Sequence, residues 1–312
     1  MRILLKTIFA ALLIVLHFDS AQAEKRIVLS YDDAPRGDGQ LYTGDERTAQ
    51  LIEGLEAAEA GPVLFFATTR GIEANETGLT RLEAYGEAGH ILANHTHTHM
   101  WAHRTPVEDY LADIDLAAAY LTDLPNTRPW FRFPYLDEGR ALERISALAE
   151  GLEARGLSNG YVTVDTYDWH LERQFQSALQ GKHTVDYEAL GELYVRLSLE
   201  VTEFYDEIAL ETLGRSPVHV LLLHENDLAA RFAPDLVRAF REAGWEIVHP
   251  DEAYATPLPV PDTHLTGQGR VAALAIDQGR SPRTIVHWGI QERAINDAIN
   301  ASGAFAVSDD AE

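Results

Sequence analysis

The chain has 312 residues, of which 46% are hydrophobic and 24% charged, enough for one large domain or two small ones with a sizeable core. Forty-nine Asp and Glu against twenty-five Lys and Arg give a formal net charge of −24, which argues against nucleic acid or an anionic membrane surface as a partner. There is no cysteine, so disulfides, thiolate metal sites and cysteine nucleophiles are excluded.

The first element in chain order is a leader. Arg2 and Lys6 precede the apolar run 8-IFAALLIVL-16, and 21-AQA-23 supplies the small residues of a cleavage site. Residues 1–23 therefore read as a signal peptide, which implies export to the periplasm or the medium and no membrane span after cleavage. The apolar run is short for a membrane-spanning helix.

Seven strand-like runs follow: 27-IVLSY-31, 63-VLFFATT-69, 90-HILAN-94, 129-PWFRF-133, 161-YVTVDT-166, 218-VHVLLLH-224 and 245-WEIVH-249. Most are continuously apolar rather than alternating, as strands covered on both faces are. Helical segments lie between them. The box 105-TPVE-108 predicts a helix capped by Thr105, and 234-PDLVRAFREAG-244 predicts another that starts near Pro234 and stops at Gly244. Strands alternating with helices predict parallel βα units, and seven of them over roughly 230 residues predict an α/β fold of distorted (β/α)7 barrel type. Two segments interrupt this rhythm. Residues 170–216 form a helical insertion whose Leu190, Leu193, Leu197, Val201, Phe204 and Ile208 recur three or four apart, the pattern of a helix packed on the barrel. Residues 257–312 form a C-terminal extension of unknown role, with helices expected near 270–279 and 290–300. The catalytic barrel is thus expected over 24–256.

Ionisable residues gather where five of these strands end: 29-LSYDDAP-35, 95-HTHTH-99, 131-FRFPY-135, 164-VDTYDW-169 and 222-LLHEN-226. Active sites of βα barrels are built at that edge. Two adjacent aspartates can serve one site only where a strand finishes, because neighbours in a regular strand face opposite ways. The histidines pose a similar problem. In a plain strand the outer pair would be about 13 Å apart, too far for one ion, whereas a helical turn would bring residues four apart within roughly 5–6 Å.

These motifs resemble those of the polysaccharide deacetylase family (the NodB-homology domain, carbohydrate esterase family 4), whose members remove acetyl groups from N- or O-acetylated sugars. The five motifs appear in order as 30-SYDDAP-35, 95-HTHTH-99, 132-RFPY-135, 165-DTYDW-169 and 222-LLH-224, across roughly residues 25–255. Ala34 stands where the family has glycine. The resemblance implies a divalent metal held by Asp33, His95 and His99, zinc foremost, with cobalt or nickel as alternatives. It implies Asp32 as the general base toward the water activated at that metal, with Arg132 pairing to it, and the backbone N–H of Tyr135 as an oxyanion donor. His224 would be the general acid for the leaving amine, with Asp165 hydrogen-bonded to it, while Asp168 would cap or brace a loop. Trp169 and Leu222 would line the pocket for the acetyl methyl, and His97 would point away from the ion. The implied partner is an acetylated carbohydrate, with a weak preference for chitin-like or glucosamine-containing chains from the acidic surface.

Two other functions are compatible with parts of this pattern. A catalytically silent relative would keep metal and carbohydrate binding without turnover. Two histidines and a carboxylate also describe a non-haem iron oxygenase site, although the barrel pattern and the acid–base pair disfavour it.

Overall fold

The computed structural model describes residues 24–306, so the expected signal at 1–23 lies outside them, as do 307–312. The elements in chain order are β1 (Lys25–Ala34), α1 (Gly44–Ala57), β2 (Leu64–Ala67), α2 (Arg70–Ala74), α3 (Gly78–Glu87), β3 (Ile91–Asn94), α4 (Val107–Leu121), β4 (Thr127–Phe131), α5 (Leu142–Glu153), β5 (Ser158–Asn159), α6 (Asp168–Gln180), β6 (Thr184–Val185), α7 (Tyr187–Leu213), β7 (Val218–His224), α8 (Asp227–Glu242), β8 (Trp245–Ile247), α9 (Pro250–Ala255), α10 (Arg270–Asp277), α11 (Glu292–Ser302) and β9 (Phe305–Ala306).

The main sheet is parallel, in the order β5-β4-β3-β2-β1-β7, with β8 also on β1. The length of β1 explains this arrangement. Its start, Lys25–Ile27, pairs with β8 and its end, Ser30–Ala34, pairs with β2, while Arg26–Asp32 run against β7. Alternate residues face opposite ways, and both faces are covered. Val28, Leu64, Phe66, Ala93, Val220 and Leu222 fill one side, while Leu29, Tyr31, Phe65, Leu92 and Leu221 pack into the larger helix-covered core. Apolar side chains are therefore needed at every position, which is why the runs read as continuous.

The expected strand at 161–166 is the main departure. This segment closes the barrel between β4 and β7, but as an irregular strap. The amides of Thr163 and Val164 both donate to the Val220 carbonyl, and the Val220 amide donates to the Thr163 hydroxyl instead of to backbone. That side-chain bond interrupts the ladder, leaving a single bridge from Val164 to Leu221. Gly160 is required beside it, since a Cβ there would lie 2.5 Å from the Phe66 ring.

Two caps also differ. The Thr105 hydroxyl donates back to the Trp101 carbonyl, so α4 begins at Val107 without a side-chain cap. Helix α8 starts at Asp227, seven residues before Pro234, because Asn226 caps it by accepting from the Ala229 amide.

The insertion forms α6 and α7. Leu190, Leu193, Leu197, Val201 and Ile208 of α7 are buried in the main core, with Phe204 packed at its margin. Residues beyond 256 join that core rather than standing apart. The Arg270 amide donates to Val162 on the strap, the Tyr205 hydroxyl donates to the Ile285 carbonyl, and β9 pairs antiparallel with β6 of the insertion. Ile295 of α11 has no exposed surface. Ile295→Ala is therefore expected to cost about 2–5 kcal/mol in a single cooperative unfolding transition, measured by denaturant titration. A separate early transition would show instead that the tail folds independently. Among the described residues no helix is long and apolar enough to cross a membrane.

Candidate active site

The two aspartates share one side through a bulge. Register against β2 shifts between Asp32 and Ala34, and Asp33 sits at φ 68°, a conformation that non-glycine residues seldom adopt. The extra residue turns the Asp33 carboxyl toward the cleft that Asp32 also lines.

His95 and His99 meet by another route than the expected helical turn. After β3 the chain bends through Thr96 at φ 68° and His99 at φ 59°. The bend is held by Asp113, whose carboxylate accepts from the amides of His97 and Thr98 and from the Thr98 hydroxyl. The Thr96 hydroxyl accepts from the His99 amide. Local polar bonds thus replace the helical ladder and still place the two rings 5.1 Å apart. His97 points elsewhere, with Nδ1 2.9 Å from the Thr69 hydroxyl and its ring stacked on Tyr120.

Asp33, His95 and His99 each present one ligand atom within 4.8 Å of the others. His99 Nε2 is 3.2 Å and His95 Nε2 3.8 Å from Asp33 Oδ1. Three features of this cluster fit a metal. Asp33 Oδ1 is buried without a hydrogen-bond partner. His95 binds the Arg132 carbonyl through Nδ1 at 2.8 Å, which fixes the ring and leaves Nε2 for an ion. Burial also pushes His95 down to about 4, despite the raising influence of Asp32, so its imidazole is neutral and ready to ligate. Burial alone would raise Asp33, but contact with His99 and the charges of His99, His224 and Arg36 hold it well below the usual carboxylate range.

Arg132 is fully buried at the end of β4. Its guanidinium donates to Asp32 at 2.5 Å, to the Ser30 hydroxyl and to the Gly160 carbonyl, and lies 3.8 Å over the Phe66 ring. Pro134 then opens a tight turn with Tyr135 at φ 59°. The Tyr135 ring stacks on Trp101 at 3.7 Å and meets the edge of His99 at 4.5 Å.

The expected bond from Asp165 to His224 is not made. His224 Nδ1 lies 2.7 Å from Asp168 Oδ1, and its amide donates to Asp168 Oδ2. The chain turns after Thr166 into α6, and that turn brings the fully buried Asp168 against His224 while Asp165 stays on the strap, lining the cleft. Asn226 also donates to Asp168. Burial would lower His224, but the Asp168 charge and hydrogen bond, with Asp33 and Asp32 beyond, raise it to about 9. Trp169 and Leu222 line the same cleft.

The cleft has a volume of about 1010 Å³, at the upper end of small-ligand sites. Two of its walls were not anticipated. Helix α6 offers Trp169, Arg173, Gln176, Ser177 and Gln180 from one face, and 36–40 forms the facing loop. The three- and four-residue spacing of those polar side chains after Trp169 was a usable signal. The loop is tied down by buried ion pairs: Asp227 accepts from the amides of Leu41 and Tyr42 and pairs with Arg47, which also reaches the Gly37 carbonyl.

Residues 19–153 match the family model described as polysaccharide deacetylase. This segment belongs to the polysaccharide deacetylase family. It carries Asp32, Asp33, His95, His99, Arg132 and Tyr135, while Asp165, Asp168, Trp169, Leu222 and His224 lie beyond the matched span. No curated protein matches the chain. Among solved structures, a polysaccharide deacetylase from Bacillus cereus is similar at 18% identity, covering 77% of this chain and 100% of that one with a TM-score of 0.53. A mutant of a CE4-family pseudoenzyme is similar at 16% identity over 72% of this chain and 65% of that one, with a TM-score of 0.50. A family 4 carbohydrate esterase from Streptomyces lividans, in complex with acetate, is similar at 16% identity over 74% and 96%, with a TM-score of 0.48. At such identities the first two likenesses are ones of fold, and the deacetylase fold is the one this chain adopts.

Proposed function

We propose that the protein is an exported, metal-dependent hydrolase that removes acetyl groups from an N-acetylated or, as the alternative, O-acetylated poly- or oligosaccharide. The observation that carries this reading is the convergence of Asp33, His95 and His99 with the Arg132–Asp32 and Asp168–His224 pairs in one cleft. A divalent ion on Asp33, His95 and His99, with zinc first and cobalt or nickel as substitutes, would supply Lewis acidity that lowers the pKa of a water from about 15.7 to roughly 7 and polarises the acetyl carbonyl.

The chain's own groups do the rest. Asp32, hydrogen-bonded to Arg132, accepts the proton of the attacking water. The Tyr135 amide makes no hydrogen bond within the described residues and is the donor for the oxyanion. His224, cationic through Asp168, gives its Nε2 proton to the departing nitrogen, which could not leave as an amide anion. Trp169 and Leu222 offer apolar surface to the acetyl methyl. Export rests on the leader-like residues 1–23.

The test is acetate release by the mature protein, reconstituted with zinc or cobalt, from acetylated chito-oligosaccharides, peptidoglycan and acetylxylan. Protein recovered outside the cytoplasm and beginning at Glu24 by mass checks the export. Asp32→Asn is expected to slow release by roughly 10²- to 10⁴-fold with little change in glycan affinity. No acetate from any of the three, with metal bound, overturns the reading. A silent binding relative is the second reading, favoured by the fold likeness to a pseudoenzyme. In that case the wild type releases nothing and Asp32→Asn changes nothing.

A further inference from the structure

Once His224 is assigned to Asp168, Asp165 is left without a task, and its surroundings point to one. Its residue is 7% exposed, and it lines the cleft together with Asp32, Trp169, Leu222 and His224. The polar side chains nearby are largely committed elsewhere: Arg132 Nε and Nη1 bond Gly160, Ser30 and Asp32, with Nη2 unpartnered, and both His224 and Asn226 bond Asp168. Among the described residues no side chain donates to the Asp165 carboxyl, which accepts from the amide of the next residue, Thr166. A carboxyl this enclosed that still faces the cleft needs its hydrogen bonding completed by whatever enters and displaces solvent. The strap fixes it there, since Val164 and Thr166 on either side are bonded to Leu222.

We propose that Asp165 is a substrate-binding residue that hydrogen-bonds a hydroxyl group of the sugar carrying the acetyl group. The inference rests on the deacetylase reading and names the feature of the substrate that this site recognises. A hydroxyl suits the position because it both donates and accepts, so it satisfies the carboxyl in either protonation state. Burial pushes Asp165 up to about 8, with the charge of His224 opposing and those of Asp168 and Asp32 adding, so both states occur near neutral pH. An amide N–H only donates, so it would leave the O–H of the protonated form unpaired. Sites built to bond a substrate hydroxyl discriminate strongly against ligands that lack it.

The experiment compares wild type, Asp165→Ala and Asp165→Asn on an N-acetylated chito-oligosaccharide, an O-acetylated xylo-oligosaccharide and 4-nitrophenyl acetate, which has no sugar. Asp165→Ala is expected to lower kcat/KM on both sugars by about tenfold or more, chiefly through KM, and to leave the aryl ester within about twofold. Asp165→Asn, which keeps a donor and an acceptor, is expected to recover most of the loss. Affinity for each sugar, measured by calorimetry in an Asp32→Asn background, is expected to fall in parallel, and this arm stands even if the wild type shows no turnover. An equal loss on the aryl ester would make Asp165 a positioning residue for the reacting groups and overturn the assignment. A loss confined to the amide sugar, or no loss of either rate or affinity, overturns it as well. Absence of acetate from wild type on every substrate is a failure of the deacetylase reading, separately visible.

Discussion

Changing His95 to alanine is expected to abolish acetate release and to leave the purified protein with less than one bound ion per chain. His95 is 2% exposed, and its ring is oriented by the Arg132 carbonyl. Without it, Asp33 and His99 remain as two ligands at a site that needs three. Lewis-acid assistance of several kcal/mol would disappear, and at about 1.36 kcal/mol per tenfold the rate should drop by roughly 10³-fold or more. Chelation of the wild type should give the same loss, reversed by adding zinc or cobalt, with unchanged far-UV circular dichroism. Metal analysis alongside the rate decides the matter. Full activity in a metal-free His95→Ala protein would rule out the metal site.

The second large effect is that of Asp168→Asn. His224 is raised to about 9, so the imidazolium persists through neutral pH and is lost as pH rises through that value. The rate is therefore expected to fall on the alkaline side, at or below about 9, since a bound cation near Asp33 also disfavours the charged ring. Asparagine removes the charge that outweighs burial, so the alkaline limb moves to lower pH. The rate at pH 8 should fall by about 10²- to 10⁴-fold. Asp165→Asn should leave the limb in place, and the opposite outcome would restore Asp165 as the partner of His224. Stability follows the same sign. The pair supports the folded state fully below the ordinary imidazole value of 6.5, and that support is lost as pH rises through about 9.

Much of this site could be read in the sequence because its residues stand at strand ends, and strand ends are marked by apolar runs that stop. Strand ends mark the clusters, the family resemblance singles out Asp32, Asp33, His95, His99, Arg132 and His224 within them, and these residues line or floor one cleft. Where the reading went astray, side-chain hydrogen bonds had overruled a periodic pattern. The Thr163 hydroxyl takes the Val220 amide and turns an expected strand into a strap, and Asp113 gathers the histidine loop without a helix. Asp165 and Asp168 are three residues apart in one motif, and spacing could not tell which would face His224. The start of α6 decides between them, and that start depends on the insertion and the tail packed beneath it.

The pairing of β9 with β6 has a consequence for how the molecule is made. The α6 wall is braced by Asn296 against His170, by Glu292 against Arg173 and by the short β6–β9 ribbon. Those braces leave the ribosome after every residue that lines the cleft. A chain clipped before Glu292 would lose these braces, and the α6 jaw of the groove is where that loss would act first. Firmness of that jaw would then wait on residues 292–306, long after the metal-site cluster and the acid–base pairs have been made.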